Sequence, residues 1–162
     1  MPDALIRRCL QLLFALGVMG GLASCGPAPW QVQTLDPLSR RSGSLDAAAL
    51  QDRYLLINYW AEWCKPCIAE IPELSRFAAQ QAQRVQVVGY NFDGQQGDEL
   101  LATMARVKMD FPALSTNPAS VFALPEISGL PTTVILDSEG RLVSVLMGPQ
   151  TLATLEQALP SR

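Results

Sequence analysis

Four apolar runs of the chain have the length and composition of β-strands. The run at residues 54–61 combines aromatic and β-branched side chains, which is typical of a central strand buried on both faces of a parallel sheet. Residues 85–92 and 132–136 predict two further strands. Residues 142–147 predict a fourth, and a turn at residues 138–140 joins it to the third as an antiparallel hairpin.

Between these strands, apolar residues recur every three or four positions, which is the spacing of one face of a helix. Helices are predicted on this basis at residues 65–83, 98–108 and 151–159, with a single helical turn at residues 46–50. Alternating strands and helices predict a sheet with a parallel core, to which the hairpin adds an antiparallel edge. Because crossovers between parallel strands are right-handed, we expect an α/β fold with a central mixed sheet and helices on both faces.

The start of the chain is predicted to be a lipoprotein signal peptide, residues 1–24. Arg7 and Arg8 precede an uncharged, mostly apolar run at residues 12–23, which is shorter than the ~20 residues that span a membrane. Small residues before Cys25 resemble the lipobox of bacterial lipoproteins, in which the cysteine is lipidated and cleavage occurs just before it. The alternatives are an ordinary secretory signal and a buried helix, although three glycines weaken the run as a helix.

The residues after the predicted lipidation site divide into two parts. Residues 25–45 are rich in Pro, Ser, Gly and Arg, which is typical of a tether and entry to a domain. Within them, residues 32–35 have the pattern of a short edge strand. Residues 46–162 carry the predicted strands and helices, and we expect them to form one folded domain.

Composition excludes several classes of function. Lys and Arg number 12 against 15 Asp and Glu, a net charge of -3, which disfavours nucleic-acid binding. The chain has no histidine, so Ser-His-Asp triads, Cys-His dyads and metal sites with imidazole ligands are excluded. Of the four cysteines, Cys9 leaves with the signal peptide and Cys25 carries lipid. Cys64 and Cys67 therefore remain as the thiols of the mature chain.

These two cysteines stand where the first buried strand meets the long helix. A helix N-terminus carries unpaired N–H groups and a partial positive charge, which stabilise the thiolate of Cys64. The spacing of three residues brings Cys67 to the same side of the helix. A mixed disulfide formed by one cysteine is then resolved by the other. Half of a zinc site and a structural disulfide are the alternatives; zinc usually needs four ligands, and so small a loop gains little from closure.

Two distant motifs resemble the thioredoxin superfamily. Residues 58–67 (NYWAEWCKPC) resemble its active-site segment, and residues 129–133 (GLPTT) resemble its cis-proline loop. The extension at residues 68–74 (IAEIPEL) is similar to the TlpA/ResA branch, whose members are exported or membrane-tethered thiol–disulfide oxidoreductases. The resemblance implies a thioredoxin-like fold over about residues 30–160.

The resemblance also implies roles for single residues. Cys64 is the attacking thiol and Cys67 the resolving one, and the pair forms the redox-active disulfide. Pro131, in a cis peptide bond, lies against it, while the backbone of Leu130 pairs with the substrate chain. Glu70 matches the helix glutamate of the TlpA/ResA branch and is a candidate proton acceptor.

Two further positions refine these roles. An asparagine, Asn58, stands where thioredoxins carry a buried aspartate, and an amide cannot titrate. Glu70 is therefore the residue expected to transfer the proton in place of that aspartate. Trp63 is expected to form a partly exposed wall of the substrate surface.

The predicted function is a thiol–disulfide oxidoreductase of the bacterial cell envelope. We expect a lipid-anchored domain on the periplasmic or extracytoplasmic side that reduces protein disulfides, as in the maturation of cytochrome c or of metal sites. A membrane or envelope donor supplies its electrons, and no metal or organic cofactor is needed, because the two thiols carry the electrons. The alternatives are a disulfide-donating oxidase, a thiol peroxidase and a non-catalytic adaptor.

Overall fold

The structure, a computed structural model, describes residues 30–50 and 52–161. Its strands are β1 (Gln31–Asp36), β2 (Arg41–Asp46), β3 (Tyr54–Trp60), β4 (Val85–Asn91), β5 (Ala113–Leu114), β6 (Thr132–Leu136) and β7 (Leu142–Met147). Its helices are α1 (Ala47–Leu50), α2 (Lys65–Gln80), α3 (Gly97–Arg106) and α4 (Leu152–Ala158), with a 3₁₀ turn at Pro118–Ser120. The predicted signal peptide, residues 1–24, and the predicted lipidation site, Cys25, lie outside the described residues.

The strands form one mixed sheet in the order β2-β1-β5-β4-β3-β6-β7. Strand β3 is parallel to β4 and antiparallel to β6, and β6 and β7 form the predicted hairpin. The register places Tyr59 of β3 beside Tyr90 of β4 and Thr132 of β6. The predicted α/β fold with a central mixed sheet is confirmed.

Strand β3 contributes side chains to two cores, because successive residues of a strand point to opposite faces of the sheet. On the first face, Leu56 packs with apolar side chains of α2, α3 and α4. On the second face, Ile57 packs with Leu50 of α1 and with side chains from residues 121–130. Helices thus lie on both faces, but the cover of the second face is mainly an irregular segment.

Residues 31–46 form a β-hairpin: β1 contains the strand predicted at residues 32–35, and β2 lies where only a tether and entry to the domain are predicted. Strand β1 pairs with β2 along its whole length and also pairs with β5. The hairpin buries Val32, Leu35 and Leu45, while most of its other side chains remain accessible. Because most of its side chains are polar and accessible, the hydrophobic pattern does not indicate this strand pair, which is held by backbone hydrogen bonds. The folded domain includes this hairpin.

The helices are slightly shorter than the apolar spacing predicts. Helix α2 ends at Gln80, where the N–H of the next residue donates to the carbonyl of Phe77. Helix α3 ends at Arg106, and Lys108 beyond it has a positive φ of 57°. Across the described part of the chain, no helix is both long and apolar enough to cross a membrane.

Candidate active site

The two cysteines lie where β3 gives way to α2, as predicted. Cys64 is the N-cap of α2, and its Sγ accepts the backbone N–H of Cys67 at 3.3 Å. The cysteines are joined by a disulfide bond with an S–S distance of 2.04 Å. Cys64 is 5% exposed and Cys67 is fully buried, so an incoming sulfur atom reaches Cys64 first. The arrangement is suited to thiol–disulfide exchange in which the sulfur of Cys64 faces the partner protein and the sulfur of Cys67 lies behind it.

The loop before β6 lies next to the end of β3, because β6 and β3 are paired up to Tyr59 and Thr132. The Leu130–Pro131 peptide bond is cis, as the resemblance implies. The carbonyl of Pro131 accepts the N–H of Gly148 at 2.9 Å. Half-buried Leu130 packs against the core cluster that contains both cysteines. No residue that the structure describes hydrogen-bonds to the backbone of Leu130, so this backbone is available to a partner chain.

Glu70 is buried on α2, one turn beyond Cys67, with only 2% of its surface exposed. Its Oε1 accepts the Asn58 side-chain amide at 2.8 Å, and its Oε2 accepts the backbone N–H of Gln150 at 2.8 Å. The same Asn58 nitrogen also donates to Thr133 Oγ1 at 3.2 Å. Burial raises the pKa of Glu70, and this effect outweighs the two hydrogen bonds, which lower it.

This network joins β3, α2, β6 and the start of α4, and sequence reasoning found only part of it. Asn58 and Glu70 were singled out from their motif positions. Gln150 was missed, because its backbone N–H, rather than its side chain, makes the contact. A backbone donor leaves no signal in the sequence.

Trp63 stands on the surface beside the cysteines and is 64% exposed, as predicted. Its indole N–H donates to both carboxylate oxygens of Asp93 at 3.1 Å, which fixes the ring against the end of β4. Phe92, which directly precedes Asp93, is also exposed, and its backbone N–H donates to the carbonyl of Trp60. Trp63 and Phe92 therefore give the rim of the site an apolar surface. Asp93 was not predicted, because no motif marks it.

A metal site is not formed by the described residues: no three Cys, Asp or Glu side chains among them come together as ligands.

Comparison with known proteins gives a consistent result. The model of the AhpC/TSA family matches residues 31–145. Thioredoxin-like protein YneN of Bacillus subtilis is 30% identical over 132 residues, which are 78% of this chain and 77% of YneN. Thiol-disulfide oxidoreductase ResA of the same organism is 27% identical over 111 residues, 66% of this chain and 60% of ResA.

Solved structures agree on the fold. The crystal structure of StoA from Bacillus subtilis superimposes with a TM-score of 0.61 at 20% identity, covering 82% of this chain and 97% of StoA. The matched family model includes β1 and β2, in agreement with the hairpin being part of the domain. The chain therefore belongs to the AhpC/TSA family, as a thiol–disulfide oxidoreductase of thioredoxin-like fold.

Proposed function

We propose that the protein reduces disulfide bonds in partner proteins outside the cytoplasm, with Cys64 as the attacking thiol and Cys67 as the resolving thiol. The single observation that carries the order of attack is exposure: Cys64 is 5% exposed, whereas Cys67 is fully buried at the same helix end. In the reduced protein, the helix N-terminus stabilises the thiolate of Cys64, which is the nucleophile.

The exchange proceeds in two balanced steps. The Cys64 thiolate attacks one sulfur of the substrate disulfide; a Cys64–substrate disulfide forms, and the second substrate sulfur leaves as a thiolate that takes up a proton. The thiolate of Cys67 then attacks Cys64 Sγ, and the remaining substrate sulfur leaves in the same way. The substrate gains two electrons, and the protein is left with the Cys64–Cys67 disulfide seen here.

We propose that Glu70 accepts the proton of Cys67 in the second step. It lies on α2 one turn beyond Cys67, and both side chains are buried. A pKa raised by burial brings the carboxyl group closer to the working pH, where it exchanges a proton more readily than an exposed glutamate does. Replacement of Glu70 by Gln then changes the pH profile of disulfide reduction, and an unchanged profile contradicts this role.

The surface around the cysteines supports a protein substrate. The backbone of Leu130, which no described residue pairs with, provides hydrogen-bonding groups for an extended chain, and Trp63, next to Cys64 in the chain, is exposed. We propose that the substrates are cysteine pairs of cytochrome c or metal sites. A membrane or envelope donor returns the electrons, and no metal or organic cofactor takes part.

We further propose that the domain is anchored on the extracytoplasmic side by lipid on Cys25. The support is the sequence alone, a charged start, an apolar run and small residues before the cysteine. Replacement of Cys25 by Ala releases the protein from the membrane fraction of fractionated cells if the anchor exists; retention there contradicts it.

The direction of electron flow is tested by the reduction potential of the Cys64–Cys67 pair, measured by equilibrating the purified protein with thiol–disulfide buffers. We expect about -250 mV or lower, near the potential of thioredoxin. A value near -120 mV, as for a strong disulfide donor, overturns the reductive direction and supports the oxidase alternative. The variant Cys67→Ser, which forms no internal disulfide, is the control for the assay.

A further inference from the structure

A cavity of about 400 Å³ opens on the second face of the sheet, where β3 and β4 end. Tyr59, Tyr90 and Phe92 form one wall, and Glu126 and Ile127 belong to the irregular segment opposite. We call this cavity the aromatic pocket. None of these five residues takes part in the exchange steps described above.

The aromatic pocket adjoins the loop that receives the substrate. Tyr59 lies opposite Thr132 in the β3–β6 pair, and Thr132 directly follows Pro131. Ile127 precedes Leu130 by three residues, and three residues span at most about 10 Å. A partner chain that places its cysteine at Cys64 and its backbone along Leu130 therefore passes close to the mouth of the pocket.

Tyr59, which lines the pocket, carries a buried hydroxyl group that no described residue pairs with. Tyr59 is only 3% exposed, and no described residue hydrogen-bonds to its Oη. Burial raises the pKa of Tyr59 to about 12, so the phenol is neutral at physiological pH. Its ring is held in place by an edge-to-face contact with Tyr90, with ring centroids 5.5 Å apart. A buried polar group of this kind is stabilised by any ligand atom that bonds to it.

The negative charge of the pocket favours a cationic ligand. Glu126 is the one charged group among the described residues that line it. A cation pairs with Glu126, lies against the electron-rich face of Tyr90 or Phe92, and donates a hydrogen bond to Tyr59 Oη. An anion is repelled by Glu126, and a purely apolar side chain leaves the Tyr59 hydroxyl unpaired. Arginine fits these three partners better than lysine, because its guanidinium is planar and has several donors.

We propose that the aromatic pocket binds an arginine or lysine side chain of the substrate protein, located within four residues of the cysteine that Cys64 attacks. This inference rests on the proposed function and deepens it. The bound cation helps to place the substrate sulfur at Cys64, and it gives the enzyme a preference for basic residues near the substrate disulfide.

The test uses the full-length, reduced protein and short peptides. Each peptide has a Gly/Ser background and one cysteine activated as a thiopyridyl mixed disulfide. One arginine occupies each of the four positions on either side of the cysteine in turn. Matched peptides carry citrulline, which has nearly the shape of arginine but no charge, or leucine. The second-order rate constant is read from thiopyridone release, and the rate with dithiodipyridine normalises the thiol reactivity of each variant.

At one or two positions we expect the arginine peptide to react about tenfold faster than the citrulline peptide. Glu126→Gln brings this ratio close to one, and Tyr59→Phe lowers it while leaving the shape of the ring unchanged. The control variants Glu156→Gln and Tyr54→Phe, which change a carboxylate and a phenol away from the pocket, keep the wild-type ratio.

Two outcomes overturn the inference while the proposed function stands. One is a leucine peptide that reacts as fast as the arginine peptide at every position, which makes the pocket an apolar subsite. The other is an arginine preference that persists in both Glu126→Gln and Tyr59→Phe. If the reduced protein fails to react with dithiodipyridine at all, the proposed function itself is wrong, and the inference falls with it.

Discussion

Glu70 of α2 is a buried carboxyl group that contacts β3 and the residue before the N-cap of α4, and its protonation contributes to the stability of the domain. Its raised pKa means that the folded state holds the proton to a higher pH than the unfolded state, whose value is near the ordinary 4.5. Between these two pKa values, the folded state binds more protons than the unfolded state. The contribution of Glu70 to the free energy of unfolding is therefore largest below about pH 4.5, and it is lost as pH rises through the folded-state pKa.

The variant Glu70→Gln removes this dependence. We expect the free energy of unfolding of the oxidised wild type, relative to Glu70→Gln, to fall as pH rises from 4.5. The glutamine also turns an N–H group towards the N–H of Gln150, which lowers stability by an amount that does not vary with pH. Urea unfolding at a series of pH values measures both effects.

Glu156→Gln, on the exposed face of α4, is the control for that series. It removes a carboxylate that lies outside the buried network of Glu70. A constant difference between wild type and Glu70→Gln across the series shows that Glu70 does not change its protonation on folding, which contradicts the raised pKa.

The motifs of the sequence identify the side chains of the site and one of their partners, Asn58, but not the others. Cys64, Cys67 and Glu70 occupy motif positions on a single helix, so helical spacing alone relates them. Gln150 and Asp93 come from other elements, and only the folded chain brings them to Glu70 and Trp63.

Two carboxylates of α2 connect this helix to the start of α4. Glu70 and Glu73 accept the backbone N–H groups of Gln150 and Leu152 at 2.8 and 3.0 Å. Negative groups at the start of a helix stabilise it, because they satisfy unpaired N–H groups and oppose the helix dipole. Helix α4 is short, so these contacts and its N-cap add to the packing of buried Leu155 in holding it against α2.

The N-cap of α4 is predicted to stabilise the domain measurably. Thr151 Oγ1 accepts the N–H of Thr154, and Thr154 Oγ1 accepts the N–H of Thr151. Replacement of Thr151 by Ala removes the first of these bonds and lowers the free energy of unfolding by about 1 kcal/mol. Thr151→Ser keeps the hydroxyl group and serves as the matched control. Equal destabilisation by both substitutions in urea unfolding contradicts a capping role.

The sequence predicts the central strands, the helices and the hairpin of β6 and β7, and the structure confirms them, whereas β2 and β5 are not predicted. Strands β3 and β6 are buried throughout or nearly so, and burial leaves an apolar run in the sequence. Strand β2 has one buried side chain, and β5 is only two residues long. Elements held mainly by backbone pairing carry little side-chain signal.

The extent of the domain is a property of the whole molecule. A chain that begins at residue 46 lacks Val32, Leu35 and Leu45, each of which contributes about 1.5–3 kcal/mol when fully buried. It also leaves β5 without its neighbour β1. We expect this truncation to lower the free energy of unfolding by more than about 4 kcal/mol.

A chain that begins at residue 30 keeps the hairpin and is the control for that truncation. Thermal unfolding compares the two under identical redox conditions, with the Cys64–Cys67 disulfide intact in both. Equal midpoints for the two chains contradict the assignment of the hairpin to the domain.

The chemistry of the cysteine pair and the order of the central elements can be read from the amino-acid sequence. Cysteines three residues apart at a helix start, and apolar runs of strand length, depend only on near neighbours in the chain. The groups that surround the cysteine pair become known only from the folded domain. Gln150 lies 80 residues from Glu70, and the aromatic pocket forms where β3, β4 and the segment before Pro131 meet. Contacts between such distant residues depend on the register and faces of the sheet, and these are fixed only when the whole domain packs.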